Sequence, residues 1–224
     1  LHKEYRRQRQ MCIRDRSTVV KPLELIKESR DTTHFSIIDK EGNAVSNTYT
    51  LGYSFGSGVT IPNTGILMNN QMNNFAYRYG DKNIRGRAAS TGNRFEPGKS
   101  PMSTMAPTMV FNEDGDLMLI TGSPGGSLIP AAILRVITGV IDFDLDIGQA
   151  TMLPRVHKDW PTTGILYEKT LNSDVVRIIN KTIGHKMTPE HTMGSTQSIH
   201  IIDGINYGFA DLRRPNASVS IQAN

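Results

Sequence analysis

A single cysteine, Cys12, occurs in 224 residues, so a disulfide within the chain is excluded and so is a two-cysteine metal or redox motif. No run of 18 or more apolar residues exists, which excludes a membrane-spanning helix. The first residues, "LHKEYRRQRQMCIRDR", are too charged to be a signal peptide. His2, His34, His157, His185, His191 and His200 form no HExxH pattern and no paired ligand spacing, so no metal site is expected. "DFDLDIG", Asp142 to Gly148, has the outline of a calcium loop but lacks the closing glutamate, and it reads as a helix-capping turn. "SPGGS" places glycines before a helix without the lysine of a phosphate-binding loop.

An excess of charge of one sign is lacking once the start is set aside. Of 25 basic and 21 acidic residues, six and two lie in residues 1–16, which leaves the remainder balanced at 19 of each. The net charge of +4 therefore belongs to that short segment. Arg6 to Asp15, "RRQRQMCIRD", reads as the translation of a transposase-type sequencing adapter. The rival reading is a basic disordered arm that binds nucleic acid. Either way, residues 1–16 show no apolar period and are not expected to pack. The body neither calls for nucleic acid nor contains a cysteine.

The chain as a whole is globular in composition: 38% hydrophobic and 21% charged, with 20 Gly and 11 Pro punctuating short elements. Residues 17–31 read as a tether. "HFSIID" and "AVSNTYTL" alternate in the strand manner around the turn "KEGN", predicting a hairpin that starts at Thr32. "ILMNN" reads as a short strand, and residues 76–100 as a long polar loop of the kind that serves as a lid or binding loop. "PTMVFNEDGDLMLITGS" is a second hairpin turning at Glu113-Asp114-Gly115. "LIPAAILRVITGVID" is a helix with Ser127 as its N-cap, apolar on most sides and so expected to be buried. Asp146 caps a further helix, "NSDVVRIINKTIG" is an amphipathic one ending at Gly184, and "TQSIHIID" with "YGFAD" closes the chain as a hairpin. This order of strands, helices and strands predicts an α+β fold with antiparallel sheets.

Two features carry chemistry. The "SPGGS" turn presents backbone N–H groups at a helix start and could hold an oxyanion or could be a tight turn only. Thr32 could act as a nucleophile if the chain were cut before it. Its own freed α-amino group, with an ordinary pKa of about 7.7–8.0, would then be the adjacent base. From "TT" alone, an exposed strand start is the simpler reading.

Taken together and in order, "TTHFSIIDKEGNAVSNTYTL", "GILMNNQMNNF", "KSPMSTMAPTMVF", "TGSPGGS", "ATMLPRVHKDW" and "MGSTQSIHII" resemble the small subunit of γ-glutamyltranspeptidases, members of the N-terminal-nucleophile hydrolase superfamily. The resemblance covers about residues 32–220. It implies half of a four-layer αββα sandwich completed by a large subunit of the same precursor. It also implies self-cleavage at Asp31-Thr32, and an acyl-enzyme on Thr32 resolved by water or an amino acid. No cofactor is implied. By the same resemblance Thr50 assists the nucleophile, and Gly125 and Gly126 supply the oxyanion hole. Ser103 and Thr104 hold the substrate α-carboxylate, and Gln71 and Asn74 lie at its α-amino group. The 76–100 loop takes the place of the lid.

Two positions depart from the family. Gly52 stands where an asparagine is usual, and Asn74 where an aspartate pairs with the substrate α-ammonium. A neutral amide loses the charge-assisted part of that bond. Glutaryl-type acyl groups, taken by the cephalosporin acylases of the family, are therefore an alternative to γ-glutamyl donors. An inactive structural homologue is a further one. The expected organisation is residues 1–16 as adapter, 17–31 as the tail of a large subunit, and 32–224 as the catalytic small subunit. The large subunit is missing, the fragment alone is expected to be inactive, and a periplasmic or secreted location follows from resemblance only.

Overall fold

A computed structural model of the chain describes residues 32–76, 91–159 and 164–222. The two segments read as adapter and tether, and most of the long polar loop, lie outside the described residues.

The first hairpin forms as its alternation requires: β1 (Thr32–Ile38) pairs antiparallel with β2 (Ala44–Thr50), in a register that sets Thr32 opposite Thr50. The Asp39 carboxylate closes the turn by accepting from the backbone and side-chain nitrogens of Asn43. The central sheet has four strands in the order β3 (Thr108–Phe111), β4 (Leu117–Thr121), β8 (Gln197–Ile202) and β9 (Ile205–Ala210), all antiparallel.

Layering follows from the strand period. On β4, Leu119 and Ile120 are both fully buried and point to opposite faces. Leu119 joins a cluster with Val136 and Val140 of α1 (Ile129–Ile141) and Ile147 and Ala150 of α2 (Ile147–Met152). The helices meet closely because Gly139 carries no side chain; a Cβ there would lie 2.8 Å from the Ala150 Cβ. The other face, on the side of Ile120 and Gly122, receives the first hairpin. Ser36 Oγ donates to the Gln197 carbonyl (2.8 Å) and Ser46 Oγ to the Thr121 carbonyl (3.0 Å). The result is a helix layer and two sheet layers. The outward side of the hairpin stays apolar and uncovered, with Phe35, Ile37, Val45 and Tyr49 all exposed.

Several expectations are corrected. "ILMNN" forms no strand; only an isolated bridge, Thr60 to Leu67, marks it. Ser127 does not cap α1. It lies in a 3-10 turn, Gly126–Leu128, and the helix starts behind it with Leu128 at its N-cap and proline in its first turn. Burial of α1 is one-sided, with Leu134 60% and Ile141 44% exposed. The sheets are not all antiparallel. A third sheet, β5 (Val156–His157), β6 (Gly164–Glu168) and β7 (Lys186–Glu190), contains a parallel β6–β7 pair that the sequence reading missed.

Other expectations hold. Asp146 caps α2 in a capping box with Gln149, the Asp146 Oδ1 accepting from the Gln149 backbone at 2.8 Å. The helical run that opens with α3 (Ser173–Ile178) ends at Gly184 in the left-handed region, as expected; its N-cap is Asn172, which the sequence analysis did not name.

Candidate active site

Thr32 opens β1 and is buried, with 6% of its surface exposed. Residues directly opposite in an antiparallel pair point to the same face, with Cβ atoms about 4.5–5.5 Å apart, so the register brings the Thr50 side chain beside that of Thr32. Thr50 Oγ1 accepts from the Gly52 N–H at 3.0 Å, so its hydroxyl proton points elsewhere. Gly52 itself is explained by its surroundings. Its φ is +96°, and a Cβ would fall 1.8 Å from Asn70 Oδ1. Asn70 fills the space where a side chain at position 52 would go, and its Oδ1 accepts from the Tyr53 N–H.

The next chain segment forms a 3-10 turn, Gln71–Asn74. Asn74 Nδ2 donates to Gln71 Oε1 at 2.5 Å, and the Asn74 carbonyl accepts from Asn93 Nδ2. Gln71 and Asn74 are thus one unit, and Gly52 lies against it: a Cβ on Gly52 would be 3.5 Å from Gln71 Nε2.

The glycine turn follows β4 and precedes α1. Gly125 has φ +134° and Gly126 φ +57°, conformations that favour glycine. A Cβ on Gly125 would meet the Gly194 Cα at 3.1 Å, so the two loops close on each other. Ser123 Oγ joins them by accepting from the Ser195 N–H at 2.9 Å. Thr104 Oγ1 donates to the Gly126 carbonyl at 2.7 Å, which fixes the turn. That commits the Thr104 proton. Ser103 Oγ accepts from the Met105 N–H at 3.1 Å.

His34 joins the two halves, and the sequence reading gave it no role. Its ring lies on Gly122, where a Cβ would approach within 2.2 Å. Nε2 is 3.1 Å from Ser36 Oγ and Nδ1 is 2.7 Å from Thr48 Oγ1. Since Ser36 spends its proton on the Gln197 carbonyl, Nε2 must be the donor and Nδ1 the acceptor from Thr48. The ring is neutral, and burial lowers its pKa from 6.5 to about 4. An unfolded histidine takes up its proton below about pH 6.5 while the folded one resists until about pH 4. Stability is therefore full above pH 6.5 and declines as pH falls towards 4. Thermal unfolding across that range will show the decline, and His34→Gln will flatten it.

Also missed is a buried ion cluster behind the glycine turn. Arg155 Nη2 lies 2.7 Å from Asp211 Oδ2, and Arg213 Nη2 lies 2.6 Å from Glu168 Oε2. Arg213 Nη1 and Asp211 Oδ1 are 3.2 Å apart. The cluster grips the loop that bears Gly194: Arg155 Nη1 donates to the Met193 carbonyl, the Met193 N–H to Glu168, and the Thr196 N–H to Asp211. One residue beyond Arg213, Arg214 Nη1 donates to the Thr32 carbonyl at 3.1 Å. "LPRVHKDW" and "MGSTQ" held the signal for Arg155 and Gly194, but the partners are distant in sequence. Among the described residues, no group of three or more acidic, histidine or cysteine side chains could hold a metal ion, and no helix is long and apolar enough to cross a membrane.

Comparison with known proteins gives a consistent answer. The family model described as gamma-glutamyltranspeptidase matches residues 1–221. The glutathione hydrolase proenzyme of Escherichia coli (strain K12) is 42% identical over 187 residues, covering 83% of this chain and 32% of the relative. This chain thus spans about a third of the length of that relative. Among solved structures, the gamma-glutamyltranspeptidase from Pseudomonas nitroreducens complexed with L-DON superposes with a TM-score of 0.75 at 37% identity, covering 85% of this chain and 100% of that one. A cephalosporin acylase from Bacillus halodurans superposes at 0.72 with 25% identity, covering 89% of this chain and 37% of that one.

Proposed function

The chain belongs to the gamma-glutamyltranspeptidase family, with its α+β N-terminal-nucleophile hydrolase fold, and from that premise we propose that it carries the catalytic half of an enzyme that hydrolyses and transfers γ-glutamyl groups. The observation that carries the reading is the register of the first hairpin, which sets the buried Thr32 beside Thr50 at the very start of β1. Cleavage of the Asp31-Thr32 bond would leave Thr32 with an α-amine beside its hydroxyl, the pair that nucleophilic attack on an amide needs.

In this reading the Thr32 Oγ gives its proton to the amine and attacks the acyl carbon. The Gly125 and Gly126 N–H groups stabilise the oxyanion, and the Thr50 hydroxyl polarises the nucleophile. Collapse expels the amine product, with the proton returned from the α-ammonium. Water or an amino acid then releases the acyl group by the same steps in reverse order. Ser103 binds the donor carboxylate, while Thr104 serves the turn through its bond to Gly126. Gln71 and Asn74 line the acyl pocket as a hydrogen-bonded pair.

A large subunit is the proposed partner. The support is the uncovered apolar side of the β1–β2 hairpin, since contiguous exposed apolar faces mark interaction surfaces. Residues 32–224 would be the catalytic unit. Export to the periplasm or outside the cell is part of the same proposal and rests on the family alone.

Asn74 favours a second reading, because it leaves no carboxylate for a substrate ammonium. The chain assembled with a large subunit, assayed on γ-glutamyl and glutaryl anilides side by side, tests both. The proposal expects the γ-glutamyl substrate to have the higher kcat/KM. A glutaryl preference would transfer the chain to acylase chemistry, and no turnover of either would overturn the enzyme reading.

A further inference from the structure

Ser123, which lies between β4 and the glycine turn, has no part in the reaction above. It is fully buried, and both capacities of its hydroxyl are committed. Oγ accepts from the Ser195 N–H at 2.9 Å and donates to the Pro124 carbonyl at 2.6 Å. The packing leaves no slack. A Cβ on Gly194 would lie 2.6 Å from Ser123 Oγ and 3.1 Å from the Pro124 carbonyl oxygen. The loop that bears Gly194 is itself held by Arg155 and Glu168 through the Met193 backbone. The buried ion cluster thus reaches the glycine turn through one hydroxyl.

We infer that Ser123 is a positioning residue that aims the Gly125 N–H at the oxyanion, a role that rests on the nucleophile reading above. The Pro124 carbonyl and the Gly125 N–H belong to one peptide group. That group is planar and trans, so the two bonds point in opposite directions, and fixing the carbonyl fixes the N–H. Gly125, at φ +134° and without a side chain, restrains this plane little by itself. Among the described residues no backbone carbonyl accepts from the Gly125 N–H, which leaves it for a ligand. The bond to Ser123 also strengthens that donor, because hydrogen bonds in series polarise one another. The series runs from the Ser195 N–H through the Ser123 O–H and the Pro124 carbonyl to the Gly125 N–H.

The other bonds of the turn do not supply this restraint. The Gly125 carbonyl accepts from the Leu128 N–H at 3.0 Å, and it shares its peptide group with the Gly126 N–H. The second oxyanion donor is therefore set by backbone alone. Thr104 Oγ1 donates to the Gly126 carbonyl, whose peptide group carries the Ser127 N–H, so it steadies the turn without holding the amide of either donor. Of the two donors, only that of Gly125 depends on a side chain.

The test compares wild type, S123A and S123C, each assembled with a large subunit, with T32A beside them. Removing an oxyanion donor outright costs about 100- to 1,000-fold in kcat. S123A keeps the donor but releases its aim, so a loss of about tenfold is expected. KM should stay within about twofold, since the donor acts on charge that develops only in the transition state. A boronic acid analogue of the acyl donor becomes tetrahedral and anionic when the Thr32 oxygen adds to boron and the proton passes to the amine. Its affinity should fall by the same factor as kcat. S123C fills the buried position with a weak donor and should fall between the two. Unfolding temperatures measured on the same proteins report any loss of packing, which would not divide kcat from KM. Unchanged kcat and boronate affinity in both variants, or a loss carried wholly by KM, would overturn the inference. Full activity in T32A would instead sink the nucleophile reading, and the inference with it.

Discussion

Replacing Thr32 by alanine in the assembled protein is expected to lower amide turnover by about a thousandfold or more, and to leave the 31–32 bond uncut. The size of the effect follows from what is removed. The alanine variant loses the atom on which the proposed covalent intermediate forms, and groups that act as a unit lose most of their effect when one is deleted. The fold should survive. Thr32 sits at the edge of a two-stranded hairpin, its carbonyl bond to Arg214 is independent of the side chain, and His34 and Ser36 still dock β1 on the central sheet. Unchanged circular dichroism and unfolding temperature beside lost turnover would therefore locate the defect in chemistry. Thr32→Ser keeps the hydroxyl and the amine and should retain measurable activity. Equal turnover by the alanine variant would remove Thr32 from the mechanism.

The second large effect is on stability. Asp211→Ala leaves Arg155, 1% exposed, as a buried cation without its nearest anion. Breaking one side of a buried pair in this way costs about 3–5 kcal/mol. For a domain of this size that corresponds to a fall of roughly 10 °C in unfolding temperature. Glu41→Ala is the control. Lys40 and Glu41 are 3.5 Å apart but largely exposed, and exposed pairs contribute little, so no shift should be seen.

The Asp211 pair also has a pH signature. Burial alone would raise the Asp211 carboxyl, but Arg155 and the N–H groups of Arg213 and Thr196 outweigh it and hold the pKa below its ordinary value. Its contribution is thus fully present above the ordinary carboxylate range and is lost as pH falls through the lower, folded value. Wild type and D211A should converge in stability at acid pH. A D211A protein as stable as the wild type at neutral pH would mean that the cluster does not hold the Gly194 loop in place.

Local pattern made much of the fold legible. The β1–β2 hairpin, the second hairpin around Gly115, the Asp146 cap and the Gly184 stop all lie within a few residues of the signals that dictate them. The third sheet was not legible for the same reason. Its β5 is two residues long, its β7 contains Pro189, and its parallel pair joins segments far apart in sequence. α1 was read as buried because its sequence is apolar nearly all round, yet the exposed Leu134 and Ile141 show that only one stripe meets the sheet.

The candidate site divides in the same way. Thr32, Thr50 and the Gly125-Gly126 turn are picked out together only by the resemblance to the family; from the residues alone Thr32 reads as a strand start and the glycines as a turn before a helix. The reason for Gly52 is not legible either way, because it is the Asn70 side chain, folded back over 18 residues. Arg155, Glu168, Asp211, Arg213 and Arg214 look like ordinary surface charges in a linear reading. Only the meeting of β6, the segment after α2 and the turn after β9 reveals them as the frame behind Thr32 and the glycine turn.

The most direct measurement is to trap the acyl group on the assembled protein during turnover of a γ-glutamyl donor, then to digest it and map the adduct by mass spectrometry. The account predicts one acyl group on a peptide whose first residue is Thr32, attached through the side-chain oxygen and with the α-amine free. An intact peptide running across position 31–32, with the adduct on any other residue, would contradict it.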